Sequence, residues 1–466
     1  MKSKNNNQND PRRSLPQVSV LLEEKEVKSL LKNHPRPLVM EAVNNALSAF
    51  RKTLKPDDPP PAMKDITVAI ESEMAEIESE RIRPVVNATG IILHTGLGRA
   101  ALPPSAARIL GKMDQCCNLQ MDLETGKRGK RNFMTEQLLC RITGAEDAMV
   151  VNNNAGATLL ILSALCSGKE VIISRGQLIE IGGSYRLPDC IFQSGASMVE
   201  VGTTNKTHLR DYKKAITENT GAVLRCNPSN YRIIGFNKSV SVKELVTLKK
   251  KHQVIIIDDL GCGALINLEK FGLPKEPTIQ ESIDAGADLV CSSGDKLIGG
   301  PQAGIILGKK KLIRKIRKHP LTRMLRVGKL TDAVLEHTLR LFLEPETLLE
   351  KNPTLRMITE PENQVKKKAQ RLRRMITRKK IPLSVKMIPG ESATGGGSLP
   401  HVPIPSWALA IKHEEINAED FARLLRKNET PVVTRIKSES VMIDVRTLLP
   451  GEDRIVAEAL EKVCRG

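Results

Sequence analysis

Aromatic side chains are scarce: 466 residues include seven Phe, three Tyr and one Trp. Stacking single-stranded bases along a row of rings needs more than that, so this mode of nucleic-acid binding is disfavoured. Acidic residues are in deficit, 53 against 72 lysines and arginines, which leaves a formal charge of +19. Such a surface suits a polyanion met through phosphates and shape, as a folded RNA is. Long apolar runs are missing too. Residues 158–162 and 254–257 are among the longest, far below the roughly 20 a membrane helix requires, so no span is expected. Nine cysteines show no C-x-x-C pairing, and the opening MKSKNNNQND has no apolar stretch of the secretory kind. The expectation is a cytoplasmic chain with free thiols. His94, His208 and His319 fall in no H-x-x-x-H or Cys/His cluster, and no metal site is expected.

What is present divides into three regions. From 15 to 81, apolar residues recur at helical spacing (Val27, Leu30, Leu31; Val39, Val43, Leu47), interrupted by His34-Pro35-Arg36-Pro37. After the break KPDDPPPA a further helix is predicted over 63–83. From about Ser167, β-branched runs alternate with helical stretches: 171–174, 196–201, 222–226, 254–259, 289–293 and 304–307. That alternation predicts a mostly parallel sheet with helices on both faces. Beyond 345, a basic helical stretch (365–380), whose charges read as a solvated face, precedes strands near 384–388, 406–411 and 441–445. The expected organisation is a helical domain over 1–83, an α/β catalytic domain over 84–345 and a small α+β domain over 346–466. No repeat or heptad pattern is evident.

Three segments carry chemistry. VVNNNAGA (150–157) is a strand end, an Asn/Gly turn and a helix start, which aims backbone N–H groups and a helix dipole at an anion such as phosphate. Asn153, Asn154, Ala155 and Gly156 are the expected cofactor contacts there. VIIIDDLGCG (254–263) ends a buried strand in carboxylates; Asp259 is placed to pair with a protonated pyridine nitrogen, and Asp258 is expected to be solvated or to cap the backbone. DLVCSSGDKLIGG (288–300) puts Ser293 and Lys296 on a small-residue turn, where burial lowers a lysine's pKa and permits imine formation.

That order resembles the aspartate-aminotransferase-like fold (fold type I) of pyridoxal 5′-phosphate enzymes. RPVVNATGIILHTGLGRA (83–100), SRGQLIEIGGSYRLPD (174–189), EVGTTNKTH (200–208), SGDKLIGGPQAGIILGKK (293–310) and GGGSLP (395–400) resemble bacterial selenocysteine synthases in particular. The resemblance implies conversion of seryl-tRNA(Sec) to selenocysteinyl-tRNA(Sec) through a cofactor-bound aminoacrylyl-tRNA, with selenophosphate as donor. It implies that Lys296 carries the cofactor, that Asp295 is its acidic partner in catalysis, and that Arg99, Arg323 and Arg326 bind selenophosphate, a task suited to the guanidinium fork. It further implies that the N-terminal helices bind tRNA and that the chain assembles as a ring of dimers, a decamer, with active sites at subunit interfaces.

Gly96, Cys226-Asn227-Pro228 and Cys291 depart from that family's usual wording, all near the expected cofactor crevice. Two rival readings remain. One is a paralogue of the same fold that eliminates from a small amino acid or amino-sugar acid without RNA; such paralogues typically lack the N-terminal helices. The other is an RNA-binding protein on a degenerate enzyme fold, against which Lys296, Asp259 and the three arginines argue.

Overall fold

The computed structural model describes residues 11–55, 58–78 and 82–465. The chain divides into two compact units, Met1–Pro84 and Val85–Gly466.

In the first unit, α1 (Lys25–Asn33), α2 (Arg36–Thr53) and α3 (Met63–Glu78) bury Val27, Val39, Val43, Leu47, Ile66 and Ile70 against one another. These are the helically spaced apolar positions of the sequence. The Pro-rich break separates two helices: His34 caps α1, and Pro37 lies in the first turn of α2, where its missing N–H costs nothing. His34 Nδ1 lies 2.5 Å from Glu78 Oε1 on α3. The helix expected over 63–83 ends at Glu78; residues 79–81 lie outside the described residues, and Arg83 is not helical. Pro84 disfavours helical backbone in the residue before it.

The second unit is built on seven strands: β1 (Asp147–Val151), β2 (Glu170–Ser174), β3 (Ser197–Val201), β4 (Thr220–Cys226), β5 (Ile255–Gly261), β6 (Leu289–Ser293) and β7 (Gly304–Gly308). Their spatial order is β1-β7-β6-β5-β4-β2-β3, and β7 alone runs against its neighbours. The connection from β6 to β7 contains no helix, and a parallel return needs a crossover of a dozen residues or more, so the short link forces the antiparallel pairing. Flanking helices include α4 (Phe133–Thr143), α5 (Asn154–Cys166), α6 (Lys310–Arg317) and α7 (Lys329–Arg340). Val150, Val223, Ile256 and Val290 pack with Leu139 and Leu335 on one face; Val151, Ile173, Ile257 and Leu289 pack with Leu160 and Ile313 on the other. Burial on both faces is why these strands read as unbroken apolar runs.

The C-terminal part carries an antiparallel sheet of β8 (Leu383–Ala393), β9 (Pro403–His413), β10 (Arg435–Lys437) and β11 (Ser440–Asp444), in the order β8-β9-β11-β10. Helices α8 (Glu362–Arg378), α9 (Ala418–Arg426) and α10 (Glu452–Arg465) accompany it. Val365, Ala369, Leu372 and Ile376 bury one stripe of α8, and Lys366 lies over the Trp407 ring at 4.6 Å. The segment after Pro84 joins this sheet before the chain enters the central one: Val86–Asn87 pairs with Val432–Val433, and Ile91 bridges Ala393. Val86 and Ala88 complete the core with Leu409 and Ile443, a pairing between residues far apart in sequence. All nine cysteines are free, and no described helix is long and apolar enough to cross a membrane.

Candidate active site

The carboxyl ends of β1, β4, β5 and β6 converge on one crevice, the place where open α/β sheets bind ligands. Asn153 caps α5 there, its Oδ1 accepting from Gly156 N at 2.7 Å. Asn154 Nδ2 donates to Asp259 Oδ1 at 2.8 Å, and Thr158, one helical turn on, donates to Asp259 Oδ2 at 2.9 Å. Ala155 is half-buried in the same turn. A side chain at Gly156 would put its Cβ 2.8 Å from Asn152 Oδ1 and 3.2 Å from Leu325 Cδ2, crowding both side chains at this helix start. Burial pushes the Asp259 carboxyl up, and its hydrogen bonds from Asn154 and Thr158 oppose that.

Against the expectation from sequence, Asp258 is neither solvated nor a backbone cap. It is 0% exposed, receives Arg225 Nη1 at 2.5 Å and Ser282 Oγ at 2.6 Å, and points to the opposite face of β5 from Asp259. Strand alternation sends the two neighbouring carboxylates into different surroundings.

Lys296 is 5% exposed. Its turn is fixed by Leu297 N to Cys262 O at 3.1 Å and Gly299 N to Lys296 O at 2.9 Å. Ser293 is buried at the end of β6, paired with Gly304. The GGGSLP turn closes over the lysine: Gly397 has φ +72°, and a Cβ built there would stand 3.5 Å from both Lys296 Nζ and Ser229 Oγ. Arg99, itself in the left-handed region at φ +63°, donates from Nη1 to Asp295 Oδ2 at 2.7 Å. Burial lowers the Lys296 pKa, and the Arg99 charge adds to the effect.

Arg323 and Arg326 are exposed and make no ion pair with Asp295 or any other described carboxylate. They flank Leu325, whose carbonyl accepts from Asn152 N at 2.8 Å, so the pair borders the Asn/Gly turn rather than joining Arg99 within this chain. His208 and His319 serve their own backbone. His208 N donates to Asp211 Oδ2 at 2.8 Å, and His319 Nδ1 accepts from Leu321 N at 3.3 Å. Among the described residues there is no group of three His, Cys, Asp or Glu able to hold a metal.

Sequence reasoning missed Thr158, Gln177 and Glu276. Glu276 is buried, and its Oε1 accepts from Asn227 Nδ2 at 3.0 Å and Cys262 Sγ at 2.8 Å; burial raises its pKa. Gln177 Oε1 accepts from Cys226 N at 3.1 Å. Of the departures in wording, Asn227 N donates to Asp259 O at 2.8 Å and buried Cys291 Sγ lies 3.7 Å from Thr158 Oγ1, while a Cβ at Gly96 would lie 3.3 Å from His94 Cε1. Helical spacing from Asn154 is the one signal that pointed to Thr158.

The residues present fit pyridoxal phosphate. Asn154 Oδ1 at the start of α5, and His94 Nδ1, Thr394 Oγ1 and Ser398 Oγ outside helices and strands, are buried without hydrogen-bond partners. Buried polar atoms left unpaired are costly, and a polar ring bearing a phosphate supplies what they lack.

A family model described as L-seryl-tRNA selenium transferase matches residues 85–449, and one described as selenocysteine synthase N terminal matches residues 12–51. The L-seryl-tRNA(Sec) selenium transferase of Carboxydothermus hydrogenoformans is 44% identical over 453 residues, covering 97% of each chain. That of Caldanaerobacter subterraneus subsp. tengcongensis is 45% identical over 456 residues, 97% of this chain and 98% of its own. Among solved structures, D-glucosaminate-6-phosphate ammonia-lyase aligns with a TM-score of 0.54 at 19% identity, over 82% of this chain and 96% of that one. The last likeness shows the fold alone, and with the sheet order above the fold is aspartate-aminotransferase-like. Matched over nearly its whole length, N-terminal helices included, the chain belongs to the L-seryl-tRNA selenium transferase family.

Proposed function

We propose that this pyridoxal-phosphate-dependent transferase converts L-seryl-tRNA(Sec) to L-selenocysteinyl-tRNA(Sec) with selenophosphate as selenium donor, in the cytoplasm. The observation that carries the reading is the buried Lys296 beside the Arg99–Asp295 pair, across the crevice from Asp259. The cofactor, when bound, withdraws electrons from the serine α-carbon, easing loss of the α-proton and the β-hydroxyl. Lys296 would hold it, and the depressed pKa leaves the amine able to take up and return a proton. Asp259, held by Asn154 and Thr158, would pair with the cofactor's ring nitrogen, and Asn153, Ala155, Gly156 and Ser293 would hold its phosphate. Asp295, aligned by Arg99, stands next to the lysine as the acidic partner.

Arg99, Arg323 and Arg326 receive the selenophosphate anion. Arg323 and Arg326 are exposed in the single chain, which suits a site completed by a neighbouring subunit in a ring of dimers, a decamer. The N-terminal helices bind the RNA, supported by the N-terminal family match over 12–51.

The small-amino-acid reading gains nothing from the ammonia-lyase likeness at 19% identity. Following the cofactor absorbance on addition of substrate separates the two: seryl-tRNA(Sec) should change the spectrum and free L-serine should not. The reverse pattern overturns the proposal.

A further inference from the structure

Beside the Lys296 crevice lies a polar cavity of about 310 Å³ to which the roles above assign no ligand. Gln177, Asn227 and Glu276 line it, and Leu399 and Pro400 continue into it from the turn whose Gly397 lies against Lys296. Because Asn227 N also donates to Asp259 O at 2.8 Å, cavity and crevice share a wall.

Its lining is rich in cations. Four cations line it against one carboxyl, Glu276. Arg225 is engaged by Asp258 and Lys275 by Glu281, but Arg232 and Lys238 have no ion pair among the described residues. Tyr231, one of three tyrosines in the chain, lines the cavity, half-buried against the core, and its hydroxyl donates to the Gly176 carbonyl, which holds the side chain in place. The rim is already fastened: Lys238 N donates to Asn205 O at 2.9 Å, Thr207 N to Lys238 O at 2.9 Å, and Lys206 lies over the Phe236 ring at 5.5 Å. On the same rim loop Ile234 is 88% and Phe236 86% exposed, apolar surfaces set among basic residues. A small inorganic anion needs neither the ring nor the volume, and a free amino acid needs no such excess of cations; a base, ribose and phosphate use all three features.

We propose that this cavity is a subsite for the 3′-terminal nucleotide of the aminoacylated RNA, its base against Tyr231 and its phosphate against Arg232 and Lys238, so that the aminoacyl ester reaches Lys296 past Asn227. The inference rests on the seryl-tRNA reading and adds where the end of that RNA sits. A tRNA(Sec) whose terminal adenosine carries a photoreactive azido group is cross-linked to the full-length holoenzyme and the labelled peptide identified. Label within 231–239 or 274–277 is expected. In parallel, removing the terminal adenosine should weaken binding to the unaltered enzyme by about 5- to 100-fold, the effect of one lost stacked base, and should cost Tyr231→Ala much less. Label elsewhere, with both RNAs bound, overturns the subsite and leaves the seryl-tRNA reading standing. Failure of the holoenzyme to bind either RNA overturns both. The cross-link needs no variant, so a poorly folding Tyr231→Ala does not decide the matter.

Discussion

Arg225→Met removes the cation that touches Asp258 and leaves the carboxylate, at 0% exposure, with Ser282 Oγ as its remaining side-chain partner. Breaking a buried pair from one side costs about 3–5 kcal/mol, because the stranded charge has lost its water and its partner. Spread over the Val85–Gly466 unit at roughly 2 cal/mol/K per residue, that is a fall of about 4–6 °C in Tm. Differential scanning calorimetry of the holoenzyme measures it at a fixed scan rate. The double variant Arg225→Met/Asp258→Leu should recover most of the loss, since replacing both partners by apolar groups removes the uncompensated charge. A single variant within about 1 °C of the parent, or a double variant less stable than the single, refutes the argument that Arg225 offsets the buried Asp258 charge.

Burial depresses Lys296 below its ordinary 10.5, so between the folded and unfolded values the unfolded chain binds more protons at this site and stability rises with pH. Cofactor-free Lys296→Met should therefore exceed the cofactor-free parent in Tm most at neutral pH and lose that advantage as pH nears 10.5; an advantage constant with pH contradicts it. Arg99→Ala, Arg323→Ala and Arg326→Ala should each keep the cofactor absorbance and seryl-tRNA binding while slowing selenium transfer by roughly 10- to 1000-fold, and full transfer in all three removes the anion site. Deleting the Met1–Pro84 unit should leave a cofactor-loaded enzyme whose tRNA(Sec) affinity falls, with a shallower salt dependence in filter binding; unchanged affinity refutes the assignment of those helices.

The parts of the site that could be read from sequence are those whose residue type and local frame suffice. Lys296 follows a buried strand on a turn of small residues, and Asp259 ends another, so each announced its place. Asp258 did not, because its partner Arg225 sits across the sheet on β4 and adjacency along the chain hides the alternation of faces. Glu276 was invisible for a similar reason: the Asn227 and Cys262 contacts that define it are made by other strand ends. Strands β6 and β7 were legible as apolar runs, but the antiparallel direction of β7 depends on the length of one connection. Pairing of Val86–Asn87 with Val432–Val433 joins residues far apart in sequence, beyond what periodicity can reach. The left-handed backbone of Arg99, which aims its guanidinium at Asp295, has no signature in residue type.

Purified holoenzyme is incubated with seryl-tRNA(Sec) labelled in the seryl group and with selenophosphate, and the amino acid released from the tRNA is identified by mass spectrometry. The account predicts selenocysteine, formed only when both substrates are present and absent with Lys296→Ala. Serine recovered unchanged from the complete mixture, or selenocysteine formed equally well without Lys296, contradicts it.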